Sequence, residues 1–356
     1  MVISGPAPKP KIKVEKSHRV RDHLLRHIQS RQCRPGDRLP SFGELQEQFQ
    51  ASTGTVSRAL LDLERDGVIE RHPGRGIFVA ERETVGTGLI GVTALDPQQS
   101  PYSARLLKGI LSVADAEHYE IVLLRRTGAQ AVQVDGILEH GMPNGEIKQR
   151  YAPPMPCVRM IEGDRELVSV IADDPGGMRE ATRHLIDLGH RRIACLMNLD
   201  HELVKSRLAG YRTALWETGI SPPPEWLGDM PSAEGRTFRE VARVGMENWL
   251  ASGWRDLGCT ALLAQNDQAA MGVLDALVAA GISVPGELSL IGFDSTPESE
   301  NCTPRLTSVE VPLEKIGALA MQMLLNQIRG AGSEACKIVL PVGLQVRDST
   351  APPPET

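Results

Sequence analysis

Residues 37–79 read DRLPSFGELQEQFQASTGTVSRALLDLERDGVIERHPGRGIFV, and this stretch decides what the chain begins with. Ser41 followed three residues later by Glu44 forms a capping box, which marks a helix start. Leu45 and Phe49 then repeat at helical spacing. Ser52 is placed to cap a second periodic run, in which Val56, Leu60 and Leu63 share one face. The opposite face is expected to carry Thr53, Thr55, Ser57 and Arg58, which are short polar groups and one long cation. Such a face suits a helix that packs one side on a core and sends its N-terminal end into a major groove. Gly67 fits the left-handed position that ends the helix. Val68 and Ile69 start a strand, and Ile77, Phe78 and Val79 return as its partner. Between them Arg71, His72, Gly74 and Arg75 make a loop suited to phosphates or a minor groove, with His72 evenly balanced between DNA and solvent. With Ser41 and Ser52 at the helix starts, these residues form the candidate DNA-contacting set.

The same stretch resembles the winged helix of GntR-family transcription regulators. The resemblance is carried by Pro35-Gly36-Asp37-Arg38-Leu39-Pro40-Ser41, by Ser52 with Thr55-Val56, Ala59-Leu60 and Leu63, and by Gly67 and Gly74-Arg75-Gly76 with Phe78-Val79. It implies a DNA-binding domain over residues 18–80. Protein contact through the same fold is the competing use, and the clustered cations oppose it.

Charge divides along the chain. Residues 1–82 hold 15 Lys and Arg against 10 Asp and Glu, net +5, while the remainder holds 24 against 35, net −11. A basic module on an acidic body binds DNA through one face without sequence-blind adhesion elsewhere. Residues 1–17, rich in Pro and Lys, read as a disordered arm. A helix follows from His18 to Ser30, and residues 81–88 read as a polar linker. The six cysteines are scattered without a C-x-x-C pair, so free thiols are expected, with no zinc site, metal or cofactor. No apolar run approaches membrane-spanning length and no signal-peptide core opens the chain. The expected location is the cytoplasm, away from any membrane.

From Leu89 short apolar strands alternate with amphipathic helices. Strands are expected at 89–93, 120–124, 136–138, 157–161, 168–172, 193–197, 261–264 and 288–292. Helices are expected at 104–117, 177–188, 206–218, 235–251, 268–280 and 312–329. This α/β alternation means parallel sheets with covered faces, and its length suits two lobes. One connection is irregular. Only nine residues separate Leu124 from Val134, short for a parallel crossover. Either one helical turn over Gly128–Val132 makes it, or the sheet departs from standard topology.

This body, residues 89–348 before a tail at 349–356, resembles the effector-binding domain of LacI/GalR-family regulators, which is like periplasmic sugar-binding proteins. The resemblance runs through Leu188-Gly189-His190-Arg191-Arg192-Ile193-Ala194, Ser206-Arg207 with Gly210-Tyr211, Asn266-Asp267 with Gly281-Ile282, and Ile291-Gly292-Phe293-Asp294. A GntR-type winged helix fused to such a sensor is similar to the arabinose-responsive repressors. By resemblance Arg207, Asn266 and Asp294 match effector-contacting positions, with Tyr102 and Asp174 near others. The residues support this independently. A polyol needs forked donors, acceptors and an aromatic plate at the carboxyl ends of strands. Competing readings stand beside this one. The alternatives are Asp174 as cap of the helix after Pro175, Asp267 as cap of the helix at Gln268, and Arg207 and Asp294 as a pair that merely neutralise each other. His190 reads as a helix terminus and Tyr211 as core.

The function these features point to is a sequence-specific regulator, a repressor, held as a homodimer on a near-palindromic operator and controlled by a sugar in the interlobe cleft. A sugar-binding protein or sugar-acting enzyme with an accessory winged helix is the alternative. No G-x-S-x-G, Walker loop or H-E-x-x-H appears to support an enzyme.

Overall fold

A computed structural model describes residues 11–28, 36–65, 67–80, 87–98, 100–124, 132–141, 155–162, 168–199, 202–230, 235–330 and 336–355. The chain forms two compact units, one ending at Thr87 and one built from Gly88 onward.

The first unit holds α1 (Lys11–His27), α2 (Phe42–Phe49) and α3 (Thr53–Arg65), then the antiparallel pair β1 (Ile69–His72) and β2 (Gly76–Val79). Its core holds the expected Leu45, Val56, Leu60 and Leu63, joined by Val20 and Leu24 of α1, all fully buried. The Ser41–Glu44 capping box closes α2, and Gly67 takes a φ of +64° just beyond α3. Helix α1 begins at Lys11 rather than His18, so Lys11 to Ser17 of the expected arm are helical. The preceding ten residues and most of the linker lie outside the described residues.

The second unit contains two six-stranded sheets. The first has the order β13-β7-β6-β5-β3-β4, from β3 (Leu89–Thr93), β4 (Glu120–Leu124), β5 (Gly136–Glu139), β6 (Cys157–Arg159), β7 (Val168–Ala172) and β13 (Lys337–Leu340). Its described pairings are all parallel. Helices α4 (Pro101–Ala114) and α10 (Leu313–Ile328) pack together beside it. The second sheet has the order β14-β12-β11-β10-β8-β9, from β8 (Ile193–Met197), β9 (Leu227–Asp229), β10 (Ala261–Ala264), β11 (Ser289–Asp294), β12 (Thr307–Glu310) and β14 (Gly343–Gln345). Only β14 runs antiparallel to its neighbour. Around it lie α5 (Asp174–Asp187), α6 (Glu202–Glu217), α7 (Phe238–Ala251), α8 (Asp267–Ala279) and the short α9 (Pro297–Asn301). Strands β8, β10 and β11 are buried throughout, as central parallel strands covered on both faces must be.

The short crossover does not disturb topology: β4 and β5 both pair parallel to β3, on opposite sides. The helical turn expected over Gly128–Val132 lies almost wholly outside the described residues. Of the cysteines, Cys195 and Cys259 are buried free thiols, Cys157, Cys302 and Cys336 are half-buried, and Cys33 lies outside the described residues. No described helix is long and apolar enough to cross a membrane.

Helix pairs in this unit approach at backbone distance. A Cβ at Gly210 of α6 would stand 2.1 Å from the Pro175 carbonyl oxygen of α5. One at Gly109 of α4 would stand 2.0 Å from the Glu314 carbonyl oxygen of α10. The Gly210 contact sits three residues beyond Arg207 and one residue after Asp174, so it sets how close those two side chains come. Gly210→Ala should therefore destabilise the second unit by about 1–3 kcal/mol through overpacking. Urea denaturation followed through that unit checks this, and an unchanged midpoint would mean the helices separate freely.

Candidate functional site

Five residues singled out from the sequence line one cavity of about 650 Å³ in the second unit: Tyr102, Asp174, Arg207, Asn266 and Asp294. All but Arg207 stand where a strand ends or a helix begins. Tyr102 opens α4 after β3, Asp174 opens α5 after β7, and Asn266 precedes α8 after β10. Asp294 ends β11, and Arg207 lies in the second turn of α6.

Arg207 is the centre of the arrangement and is 8% exposed. Its Nε and Nη2 donate to Asp174 Oδ1 at 3.1 and 2.9 Å, and its Nη1 donates to the Gln265 carbonyl oxygen. Its Cζ lies 3.7 Å from the centroid of the Phe293 ring. Asp294 Oδ1 is 3.9 Å from Nη2, within ion-pair range but beyond a hydrogen bond. Arg207 is thus neutralised chiefly by Asp174, and the expected direct pairing with Asp294 is the weaker contact. Burial works against the Arg207 charge, but Asp174 and Asp294 outweigh it and raise its pKa.

The capping expectations shift by one residue. Asp173, not Asp174, caps α5, its Oδ1 accepting from Gly176 N at 3.0 Å. Asp174 is left free to meet Arg207. Likewise Asn266, not Asp267, caps α8, its Oδ1 accepting from Ala269 N at 2.8 Å. Asp267 instead receives Thr296 N at 2.6 Å, Thr296 Oγ1 at 3.0 Å and Ser308 Oγ at 2.5 Å. It ties the loop after β11 to β12.

That loop is strained: Asp294 and Ser295 have φ of +104° and +47°. Two non-glycine residues hold left-handed backbone only because their surroundings fix them. Ser308 Oγ accepts from Ser295 N at 3.0 Å, Arg105 Nη1 donates to Ser295 O at 3.0 Å, and Arg347 Nη2 donates to Ser295 Oγ at 2.8 Å. The result presents a buried Asp294 Oδ1 that has no hydrogen-bond partner. Burial pushes the Asp294 carboxyl well above the usual carboxylate range. Burial, with Asp294 and Asp174 nearby, also raises Tyr102.

Sequence reading missed several lining residues, including His140, Gln265 and Phe238. His140 Nε2 stands 3.3 Å from the Tyr102 hydroxyl. His140 and Gln265 each directly follow a strand, so the strand-end rule applied one residue earlier would have found them. Phe238 opens α7 with no strand end beside it to signal a site. His190 and Tyr211 are structural, as expected: His190 Nδ1 meets Thr260 Oγ1 at 2.7 Å, and Tyr211 donates to Ile193 O at 2.8 Å.

In the first unit, Ser52, Thr53, Arg58, His72, Gly74 and Arg75 are exposed, while Ser57 and Ser41 are half-buried. Thr55 corrects the helical-face expectation. It is 5% exposed, with its hydroxyl 2.9 Å from Ser52 Oγ. A threonine is tolerated there because a neighbouring hydroxyl satisfies it. Ser41 spends its side chain on the capping box, and Thr53 Oγ1 accepts from Gln46 Nε2 at 3.1 Å. Arg71 lies in β1 rather than the loop, and its Nε donates to Glu64 Oε2 at 2.8 Å. His72 also ends β1, its ring 5.4 Å from Phe78. Arg58 and Arg75 are left as the exposed cations of the expected set.

Burial also pushes the Asp267 carboxyl up to about 6, against the hydrogen bonds from Ser308 and Thr296. The folded protein then holds this proton more tightly than the unfolded chain, whose ordinary value is 3.8. Its stabilising contribution is full below that value and is lost as pH rises through about 6. Carbon-detected NMR should find the Asp267 carboxyl titrating near pH 6, whereas titration near its ordinary value would show that the three donors outweigh burial.

Comparison with known proteins agrees with both units. Residues 16–79 match the family described as "Bacterial regulatory proteins, gntR family", and residues 182–350 match "Periplasmic binding protein-like domain". The chain is 31% identical over 276 residues to the ribose operon repressor of Escherichia coli, covering 71% of this chain and 78% of that one. It is 27% identical over 313 residues to catabolite control protein A of Priestia megaterium, covering 83% and 90%. Among solved structures, a LacI family transcriptional regulator from Enterococcus faecium with bound ribose superposes with a TM-score of 0.64 at 26% identity, covering 74% of this chain and 99% of that one. The chain belongs to the family of the ribose operon repressor, bacterial transcriptional repressors built on a periplasmic binding protein-like domain, and here that body carries a DNA-binding domain of the gntR family.

Proposed function

We propose that this ligand-regulated repressor takes a small sugar or sugar derivative in the interlobe cleft and changes its operator affinity in response. The observation that carries the reading is the buried Arg207, fixed on Asp174 and facing the cavity beside the unpartnered oxygen of Asp294. A guanidinium fork offers donors and a carboxylate offers acceptors, so together they sort the hydroxyls of a polyol by direction. Tyr102 and the adjacent His140 supply the aromatic side of the site, and Asn266 adds an amide at the start of α8. Operator and effector binding are then coupled reciprocally, by about 1–3 kcal/mol in typical cases.

Arg207→Ala should abolish the effector response while leaving operator binding intact, because the winged helix is a separate unit. Arg207→Lys should restore little, since the fork is lost. The effector is found by thermal shift across pentoses, arabinose and ribose first, then hexoses and polyols, because ligand stabilises the folded form by mass action. Asp294→Asn guards against a folding defect in the arginine variant. If both variants still respond at the wild-type effector concentration, the site is elsewhere.

At the other unit, we infer that Arg58 reads a base from the exposed face of α3, and that a homodimer presents two such helices to a near-palindromic operator. Arg58→Ala should cost about 1–3 kcal/mol of operator affinity and relax sequence preference. Quantitative footprinting together with light scattering checks both parts. Unchanged affinity would remove Arg58 from the interface, and a monomer binding one-to-one would rule out the paired arrangement.

A further inference from the structure

The loop after β11 is fixed from its own lobe and grasped from the other. Within the second lobe Asp267 holds it through Thr296 and Ser308, Ser308 Oγ accepts from Ser295 N, and Arg347 donates to Ser295 Oγ. The left-handed residues Asp294 and Ser295 therefore have supports for their turn that owe nothing to the first lobe. Their carbonyl oxygens are nevertheless met from outside. Arg105 of α4, a helix of the first lobe, donates from Nη1 to Ser295 O at 3.0 Å and reaches Asp294 O at 3.4 Å. Arg105 does not line the cavity, so these bonds join the lobes outside the space a ligand would fill.

Arg105 is carried on a firm support. A Cβ at Gly317 of α10 would stand 2.3 Å from the Leu106 carbonyl oxygen of α4, a second backbone-distance approach in the helix pair that also meets at Gly109. The backbone that carries Arg105 thus moves with the first lobe as a whole. A further partner stands on that side. Arg105 Nε is 3.8 Å from Glu314 Oε1, within ion-pair range but too far for a hydrogen bond, and Lys108 Nζ is 3.2 Å from the same oxygen. When the lobes part, Arg105 loses its carbonyls and keeps a carboxylate beside it, so the charge is not left unpaired. Two arrangements of similar free energy are what a switch requires. Glu314 lies in the first turn of α10, directly after the crossing from β12, so the contact stands beside the hinge. A small change of position there swings the outer ends of the lobes further.

We propose that Arg105 latches the lobes together: by holding the Asp294 and Ser295 carbonyls from α4, it positions the two walls of the cleft and sets how far the empty cleft opens. It is a positioning residue and does not touch the effector. Its consequence for regulation rests on the cleft being the effector site. With the latch intact, part of the closure is made by the chain itself. Without it the closed form is rarer, and apparent effector affinity falls by that fraction.

Pulsed electron spin resonance on the full chain, without any sugar, tests the latch. One spin label is placed at Ala116 of the first lobe and one at Asn248 of the second, both exposed. Attachment to keto amino acids leaves the six cysteines in place, and dilution into unlabelled chain removes distances between copies. Arg105→Gln is expected to shift the main distance by more than about 2 Å and to broaden its distribution, as a lobe rearrangement does. Arg105→Lys, which keeps the charge and a donor, is expected to recover part of the shift. Arg305→Gln removes an arginine paired with Asp348 inside the second lobe and is expected to match wild type. A folded Arg105→Gln protein with the wild-type distribution would overturn the proposal, and so would an equal shift in Arg305→Gln. Should Arg105→Gln fail to fold, Arg105→Lys decides: a distribution broader than wild type upholds the latch, and an identical one overturns it. Shifted distances in a chain that answers no sugar sink the effector reading alone. Unchanged distances in a chain with a normal sugar response sink the latch alone.

Discussion

The second unit depends on a buried ion pair held at fixed distance by a glycine. Removing two charges from water is expensive, and their attraction offsets the cost only when geometry is good and the remaining donors are satisfied. Arg207 and Asp174 meet those conditions because α6 lies against the start of α5 with no side chain between them at Gly210. The Gln265 carbonyl and the Phe293 ring complete the guanidinium's surroundings. Each of these partners belongs to a different element, so one side chain fixes the mutual positions of α5, α6, β10 and β11. On the proposed reading, ligand recognition would draw on the same contacts that hold the lobe together.

Much of this was legible in the sequence. The strands announced themselves as short apolar runs, and those at 89–93, 120–124, 193–197 and 261–264 fall where their residues put them. Tyr102, Asp174, Asn266 and Asp294 were accessible because ligand sites gather at strand ends, a rule of position rather than of chemistry, whereas Arg207, a turn into α6, followed from the resemblance. What the sequence withheld was which of two adjacent polar residues does which job. At Asp173-Asp174 and at Asn266-Asp267 the first residue caps the helix and the second, already in the first turn, reaches a tertiary partner. A linear reading sees two interchangeable caps, and only the partner across the fold, Arg207 in one case and Thr296 with Ser308 in the other, separates them. Strands β9, β12, β13 and β14 were not legible for a different reason. They are three or four residues long at or next to sheet edges, with too few positions to show a period.

The DNA-binding unit gives the complementary lesson. Its fold followed from the burial stripe on α3, but its polar face was overcounted. Thr55 is buried and Arg71 is spent on Glu64. Residue type signals what a side chain can contact, while the local pairing decides whether it remains available. The charge division between the two parts of the chain survives this revision, since Arg58 and Arg75 keep their exposure.

The sheet order has a consequence for how the protein is made. The chain passes between the two lobes three times, after β7, after β12 and after β13. The first sheet receives β13 only at residues 337–340, and the second receives β14 at 343–345 and the clasp of Ser349 on Leu290 and Thr307 later still. During synthesis neither lobe can close its sheet until residues 337–345 have left the ribosome. A nascent chain stalled before that point presents the open edges of β7 and β12 together. Products shortened before that point should therefore be chaperone clients or protease substrates throughout the second unit, with neither lobe of it finished early enough to survive by itself.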